Sequence, residues 1–402
     1  MPSATARLPE PDAEFRGSLR NIASYVSFTF ICYVSIGLPL AVLPPFVHMG
    51  LGYSTMVAGL AISIQYIATL ASRPWAGRIS DHAGAKVSVL WGMAAIAASG
   101  ALIVATAALH AAHGLSFTVL VASRLALGVG ESLVSTGSTL WGITAAGPEN
   151  TAKVIGYNGI STYGGIAAGA PLGVVLAQRW GLAAIGILTA AMALGCLALA
   201  IRKASLAAQP GEHMPFAHVL ARVAPHGMGL ALGGVGYSVI ATFITLFYAN
   251  RHWTGAALCL TAFGGAFIFA RAFFIGSIRT FGGFPVAKGS LLIEALGALL
   301  LWRATSSWMA LLGSAVVGLG FSLVFPSIGV EAVERVPEFN RGTALGVYTA
   351  FADVSFFMTG PIAGALIGWS GYPSAFLFAL ISILLALAIV FLLQARPAAA
   401  PA

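Results

Sequence analysis

The chain has 402 residues, 58% of them hydrophobic and only 8% charged, with a mean hydropathy of +0.91. A water-soluble protein of this composition would lack the polar surface to cover itself, so lipid is its expected solvent. The formal net charge of +8 is read from its distribution as topology and contact with anionic headgroups, not as a nucleic-acid footprint. Cys32, Cys196 and Cys259 fall in apolar stretches at unrelated spacings, which supports neither a disulfide framework nor a metal cluster.

In chain order, residues 1–18 carry three prolines and few large apolar side chains, and read as a disordered cytoplasmic tail. They are not a signal peptide, because the apolar run that follows is too long and lacks a cleavage site. Twelve apolar stretches then succeed one another at 21–47, 55–77, 86–110, 116–141, 153–178, 182–201, 226–249, 256–278, 287–304, 308–334, 342–368 and 373–395. A helix needs about 20 apolar residues to cross about 30 Å of hydrocarbon, and the short alternating segments of a membrane barrel are missing. The expected fold class is all-α, a polytopic membrane protein of 12 transmembrane helices. With the N-terminus inside, the inner loops and tails collect 14 Lys and Arg, against Arg179, Arg251 and Arg303 outside. Arg73 and Arg271 read as charges near inner helix ends. The positive-inside rule therefore places both termini in the cytoplasm.

A linker at 202–225, interrupted by Gln-Pro-Gly-Glu-His-Met-Pro, separates an N-terminal half at 19–201 from a C-terminal half at 226–395, with a short tail at 396–402. The halves repeat each other. An offset of 190 superposes Gly128, Gly130, Ser132 and Val134 on Gly318, Gly320, Ser322 and Val324, and Pro171 on Pro361. An offset of 198 places Arg73 on Arg271 and Gly84 on Gly282.

Between helices 2 and 3 the chain reads Gly77-Arg78-Ile-Ser-Asp81-His82-Ala-Gly84-Ala-Lys86. The glycines permit tight turning, and the carboxylate of Asp81 suits a helix N-terminus or an arginine, for which Arg341 is the candidate. This decapeptide resembles the loop signature of the major facilitator superfamily, with His82 where a basic residue is usual. The resemblance implies two six-helix halves related by pseudo-two-fold symmetry, a site near mid-membrane, and alternating access. It also implies that Asp81, Arg78 and Lys86 latch the halves on the cytoplasmic side. An ordinary positive-inside loop is the plainer reading. The second copy is degraded, with Arg279 in place of the acid.

Helix 4 carries Arg124 and Glu131, both expected well inside the bilayer, where a charge costs at least about 2.5–3.5 kcal/mol and usually faces a polar partner or cavity. Seven residues is nearly two turns, so both share one face. Arg124 matches the helix 4 arginine of the family's second motif, which implies proton transfer or substrate charge, and Glu131 is a candidate proton carrier. A fixed salt-bridge network is the alternative. Asp353, expected among Tyr348, Thr349 and Ser355, competes with Glu131 for the proton. Glu294 reads as a packing or snorkelling residue, and Glu331 and Glu334 as interfacial charges.

Helix 5 contains Gly164-Gly165-Ile-Ala-Ala-Gly169-Ala-Pro171-Leu-Gly173, which resembles the proton-exporter motif with one extra Ala before Pro171. The resemblance implies a kinked helix sealing the half-interface against leak; plain Gly-xxx-Gly packing is the alternative. Helices 1, 4, 7 and 10 line the cavity in this fold, offering Tyr33, Tyr237, Thr242, Phe321 and Phe325, joined by Gln65, Tyr66, Asn158 and Tyr163. Those residues suit an amphipathic, sugar-like or anionic solute alike.

The stretch from Leu38 to Pro44 and that from Ser72 to Gly77 look like a bacterial arabinose-efflux-like branch. The sequence is therefore read as a monomeric, proton-driven exporter of a small organic solute such as a sugar, drug-like amphipath or metallophore, in a bacterial inner membrane. No cofactor is expected beyond the proton gradient. A proton-coupled importer of sugar or organic acid is the alternative. A receptor or an enzyme is remote, since metalloprotease, nucleophile-elbow and phosphate-loop motifs are missing.

Overall fold

The computed structural model describes residues 11–147, 150–205, 216–336 and 341–395; side chains are described from residue 20 onward, except at 81, 152, 216–217 and 341–343. Among the described residues, 12 helices are long and apolar enough to cross a membrane. They are α1 (Pro11–Leu40), α2 (Thr55–His82), α3 (Ala85–Ala108), α4 (His113–Ala146), α5 (Thr151–Trp180), α6 (Leu182–Arg202), α7 (Phe216–Gly233 continued by Val235–Asn250), α8 (Ala257–Phe274), α9 (Gly283–Trp302), α10 (Ser307–Val333), α11 (Arg341–Ser370) and α12 (Pro373–Ala395). No strand occurs among these residues. In hydrocarbon every backbone polar group must be satisfied within its own segment, and helices do this. Trp75, Trp91, Trp180, Trp308 and Trp369 stand exposed on the outer surface, as amphipathic rings do in the belts of a bilayer.

Two sequence expectations need correction. Residues 11–18, expected to be disordered, are the first turns of α1, and α7 starts at Phe216, carrying Pro225 inside it. A proline removes one ladder hydrogen bond, but neighbouring helices hold both arms of a membrane helix in place. The expected tails at 1–10 and 396–402, and 206–215 of the linker, lie outside the described residues.

The repeat is visible in the backbone. Gly84 and Gly282, related by the larger offset, start α3 and α9 with φ of +93° and +86°. Gly181 and Gly371, related by the smaller one, end α5 and α11 with φ of +77° and +79°. Only glycine adopts positive φ without steric cost.

Packing repeats as well. A Cβ on Gly128 of α4 would run into the carbonyl oxygen of Gln65 on α2, and one on Gly318 of α10 into that of Phe263 on α8. Gly130 likewise meets Ile96 of α3, and Gly320 meets Glu294 of α9. Glycine allows backbones to touch where no hydrophobic force between helices exists to draw them together.

Gly165, Gly169 and Gly173 lie against Phe30, Val34 and Leu38 of α1. These three glycines therefore pack within the N-terminal half and do not themselves seal the contact with the other half as expected, although Gly159 and Gly164 of the same helix face toward it. That contact is made by other residues. On α2 and α11, Gly59 meets Gly360, Gly364 meets Met56, and the Thr55 hydroxyl donates to the Gly364 carbonyl at 3.0 Å. On α5 and α8, Gly264 meets Ala167, and the Thr261 hydroxyl donates to the Ala167 carbonyl at 3.1 Å.

These contacts run from the face holding the α1–α2 loop to the depth of Arg73. Closer to the α2–α3 face, no hydrogen bond or ring contact between the halves is found among the described residues. The halves are thus closed at the α1–α2 face.

Gly128→Ala and Gly318→Ala should each cost about 1–3 kcal/mol through overpacking, seen as a lower unfolding temperature of purified protein in detergent. Gly195→Ala, at a position with nothing within 4 Å, should leave it unchanged.

Candidate functional site

Midway along α4, the Glu131 carboxylate is 4% exposed and held by neutral donors from two other helices. Tyr33 of α1 donates to Oε1 at 3.1 Å; Gln65 Nε2 and the Thr69 hydroxyl of α2 donate to Oε2 at 3.3 and 3.2 Å. Arg124, on the same helix nearly two turns away, is fully buried and donates from Nη2 to Gln65 Oε1, while its Nε and Nη1 have no partner. Arg124 and Glu131 are therefore not in direct contact. The Gln65 amide stands between them, oxygen toward the cation and nitrogen toward the carboxylate, which is the only orientation that satisfies both.

Thr69 adds a second property. Its one hydroxyl proton has three acceptors in reach, Glu131 Oε2 at 3.2 Å and the carbonyls of Gln65 and Gly128, both at 3.1 Å. With Glu131 ionised, Thr69 donates to it. With Glu131 protonated, the acid can donate to Thr69, whose own proton turns to a carbonyl. Both protonation states are hydrogen-bonded without moving the backbone, because a hydroxyl is donor and acceptor at once.

Asp353 sits elsewhere in the electrostatic scheme. The sequence reading sets it among Tyr348, Thr349 and Ser355, but those hydroxyls donate to the carbonyls of Phe325, Leu345 and Ala231. Asp353 is gripped by Arg73 of α2, which donates from Nε to Oδ2 and from Nη2 to Oδ1, the latter at 3.0 Å. This is the one ion pair found among the described residues, and it joins the two halves. Arg73 is thus more than a helix-end charge; the spacing of a lone arginine carries no sign of a partner in the other half of the chain.

The C-terminal half offers aromatic rings where the N-terminal half offers polar groups. At the repeat-related positions of Gln65, Thr69 and Glu131 stand Phe263, Phe267 and Phe321. Tyr163 of α5 reaches across to them, with ring centroids 3.9 Å from Phe267, 6.0 Å from Phe321 and 5.5 Å from Tyr237 of α7. Tyr66 and Phe356 join at 5.1 Å. Among the expected cavity residues, Tyr33, Gln65, Tyr66, Tyr163, Tyr237 and Phe321 thus converge. Thr242 is buried on α7, Asn158 keeps an unpartnered Oδ1, and Phe325 packs on Tyr348 at 5.2 Å.

Two more buried charges have no opposite partner among the described residues. Arg271 of α8 has its guanidinium 5.1 Å from the Phe267 ring centroid, 3.9 Å from where a Cβ on Gly159 would lie, and an unpartnered Nε. Glu294 is fully buried against Gly233, Gly236 and Gly320, both oxygens unpartnered, so it does not snorkel. Glu331, expected to be interfacial, accepts from the Gly283 and Phe284 amides, a carboxylate at the α9 N-terminus as the helix dipole favours.

The expected latch is partly outside the described residues, since the side chains of Asp81 and Arg341 are among those not described. Arg78 is exposed, and Gly77 has nothing within 4 Å, so no close approach is made there. Lys86 donates to the carbonyls of Ile201 and Lys203 at 2.8 and 2.6 Å, which ties the loop to α6 of its own half. Partial burial holds the Lys203 ammonium below its usual range; it donates to Ser24 and lies over the Tyr25 ring. No group of three or more His, Cys, Asp or Glu able to hold a metal is found among the described residues.

Breaking a buried pair leaves a charge uncompensated, at a cost of about 3–5 kcal/mol. Asp353→Asn and Arg73→Gln should each lower thermal stability and abolish transport, and the exchanged pair Arg73→Asp with Asp353→Arg should recover part of both. Thermal unfolding and vesicle uptake read the two effects.

A family model for the Major Facilitator Superfamily matches residues 26–286 and 227–402. An uncharacterised MFS-type transporter of Burkholderia pseudomallei is 51% identical over 391 residues, covering 97% of this chain and 96% of the relative. One of Pseudomonas aeruginosa is 51% identical over 390 residues, covering 96% of each. Among solved structures, a D-xylose–proton symporter superposes with a TM-score of 0.73 at 16% identity, over 93% of this chain and 97% of that one. The human organic anion transporter MFSD10 does so with a TM-score of 0.66 at 15% identity, over 93% and 99%. With 12 spans, a repeated six-helix half and full-length relatives of this kind, the chain is a multi-pass membrane transporter and belongs to the Major Facilitator Superfamily.

Proposed function

We propose that this transporter is driven by the proton gradient, that Glu131 carries the proton, and that it exports a small organic solute from a bacterial cytoplasm by antiport. The observation that carries the reading is the Glu131 pocket. A coupling carboxylate must exchange its proton in mid-membrane while remaining solvated by the protein in both states. Glu131 is held by neutral donors, one of them the Thr69 hydroxyl that can reverse its role. Asp353 has its charge matched by Arg73 in a two-point contact, so its role is to hold the halves together, not to carry the proton.

Positive charge on the loops supports cytoplasmic termini, a location in the inner membrane, and hence closure at the periplasmic face in this conformer. In the opposite conformer the Asp81 loop, with Arg78 and Lys86, engages the other half near Arg341. Export rests on the resemblance of helix 5 to the proton-exporter motif. Proton-coupled import of a sugar or organic acid is the second reading, kept open because the packing of Gly165, Gly169 and Gly173 on α1 gives them a structural task independent of direction.

Proteoliposomes of known orientation under an imposed pH gradient test both readings. Opposite movement of solute and proton is expected; parallel movement establishes import, and no proton movement defeats Glu131 as carrier. Glu131→Gln should retain solute exchange but lose net proton-driven flux by tenfold or more. Thr69→Val should alter the pH profile of transport where Thr69→Ser does not.

A further inference from the structure

We infer that Arg271 is the anchor for an acidic group of the transported solute, which places that solute among organic anions with an apolar or ring-bearing body. The inference rests on the reading of the chain as a solute transporter given above, and names the solute class.

The observation is a broken symmetry. Arg73 of α2 reaches Asp353 of α11 across the interface between the halves. The larger repeat offset places Arg271 on α8 at the position related to Arg73, and the smaller one places Tyr163 on α5 at the position related to Asp353. The second interface is therefore built like the first, with the cation present and the carboxylate replaced by a phenol. No acidic side chain pairs with Arg271 among the described residues. Its guanidinium lies over the Phe267 ring, which meets Tyr163 in a tilted contact at 3.9 Å between centroids, and it also lies against Gly159 of α5, where a Cβ would touch it at 3.9 Å. It is 7% exposed, with Nε unpartnered.

An arginine fork matches a carboxylate or phosphate in two-point geometry, and an anion arriving here would complete the ion pair that the protein leaves open. The adjoining aromatic cluster, buried in this conformer, specifies the rest of the solute once the halves part. Tyr163, Tyr237, Phe263, Phe267 and Phe321 form one packed aromatic cluster, whose faces suit a ring or hydrocarbon body. Completion of a cross-half pair by the solute would also make its binding favour the conformer closed at this interface, which is how a ligand shifts an equilibrium between two states.

The test is binding to the purified full-length protein in detergent, by thermal shift and calorimetry. The anionic probes are benzoate, succinate, phenyl phosphate and benzenesulfonate; benzamide, succinamide and benzylamine are their uncharged or cationic counterparts, and sodium sulfate is the inorganic control. At least one organic anion should bind, and its amide should not. Arg271→Gln should weaken that binding tenfold or more. Tyr163→Asp, which supplies the missing carboxylate, should weaken it similarly while leaving the protein as heat-stable as the parent, so that a folding defect in Arg271→Gln does not decide the matter.

The inference is overturned if no organic anion binds, if amides or the amine bind as well, if sulfate binds as tightly, or if both variants keep the parental affinity. Proton flux in vesicles separates this from the reading beneath it. Anion binding without coupled proton movement defeats the coupling proposal and leaves the anchor, whereas coupled flux of an uncharged solute does the reverse.

Discussion

A charge in hydrocarbon is costly, at least about 2.5–3.5 kcal/mol on insertion scales, and the interior of this bundle holds Arg73, Arg124, Arg271, Glu131, Glu294 and Asp353. Their arrangement organises everything else. One cation and one acid neutralise each other directly, across the halves. One cation and one acid are kept apart by a glutamine that serves both. The last cation rests on an aromatic face, and the last acid is enclosed by glycines. Only the first pair is electrostatically complete. The others are held in place by neutral dipoles, rings and close backbone, which hold a charge without cancelling it.

The two halves share a backbone and differ in chemistry. Gly128 on Gln65 and Gly318 on Phe263 are the same helix crossing built twice. At those crossings the N-terminal half places Gln65, Thr69 and Glu131, and the C-terminal half places Phe263, Phe267 and Phe321. Since glycine positions set how closely the helices approach, the large side chains beside them are free to diverge without altering the crossing. Polar groups and an aromatic cluster thus face each other across one interface, with Tyr163 and Tyr66 reaching between them.

Contacts between the halves are of the kind that can be exchanged. Along α2 and α11, and along α5 and α8, backbones touch at glycines, with single hydroxyl-to-carbonyl bonds and one ion pair. A difference of about 1.4 kcal/mol shifts an equilibrium tenfold, so a transporter that alternates must keep the sum of such contacts modest and matched on both faces. Within each half the glycine crossings are repeated, Gly128 and Gly130 of α4 being matched by Gly318 and Gly320 of α10.

Composition, helix count, the α2–α3 turn at Gly84 and the repeat offsets were legible in the sequence because each is local: a hydrophobic run, a positive-φ glycine or a shared spacing is written in neighbouring residues. Glu131 and Arg124 could be found the same way, since a charge in a long apolar run stands out wherever its partner lies. Whether those two touch was not legible, because their separation along one helix says nothing of the glutamine that α2 inserts between them. Nor was the pairing of Arg73 with Asp353, which joins opposite halves of the chain, nor the facing of Gly165, Gly169 and Gly173 toward α1. The sequence by itself determined twelve helices, their repeat and which of them carry charge. Tertiary structure alone decided which charges are matched, because partnership in a bundle depends on the face that each helix turns toward its neighbours, and that is set by packing among helices distant in the chain.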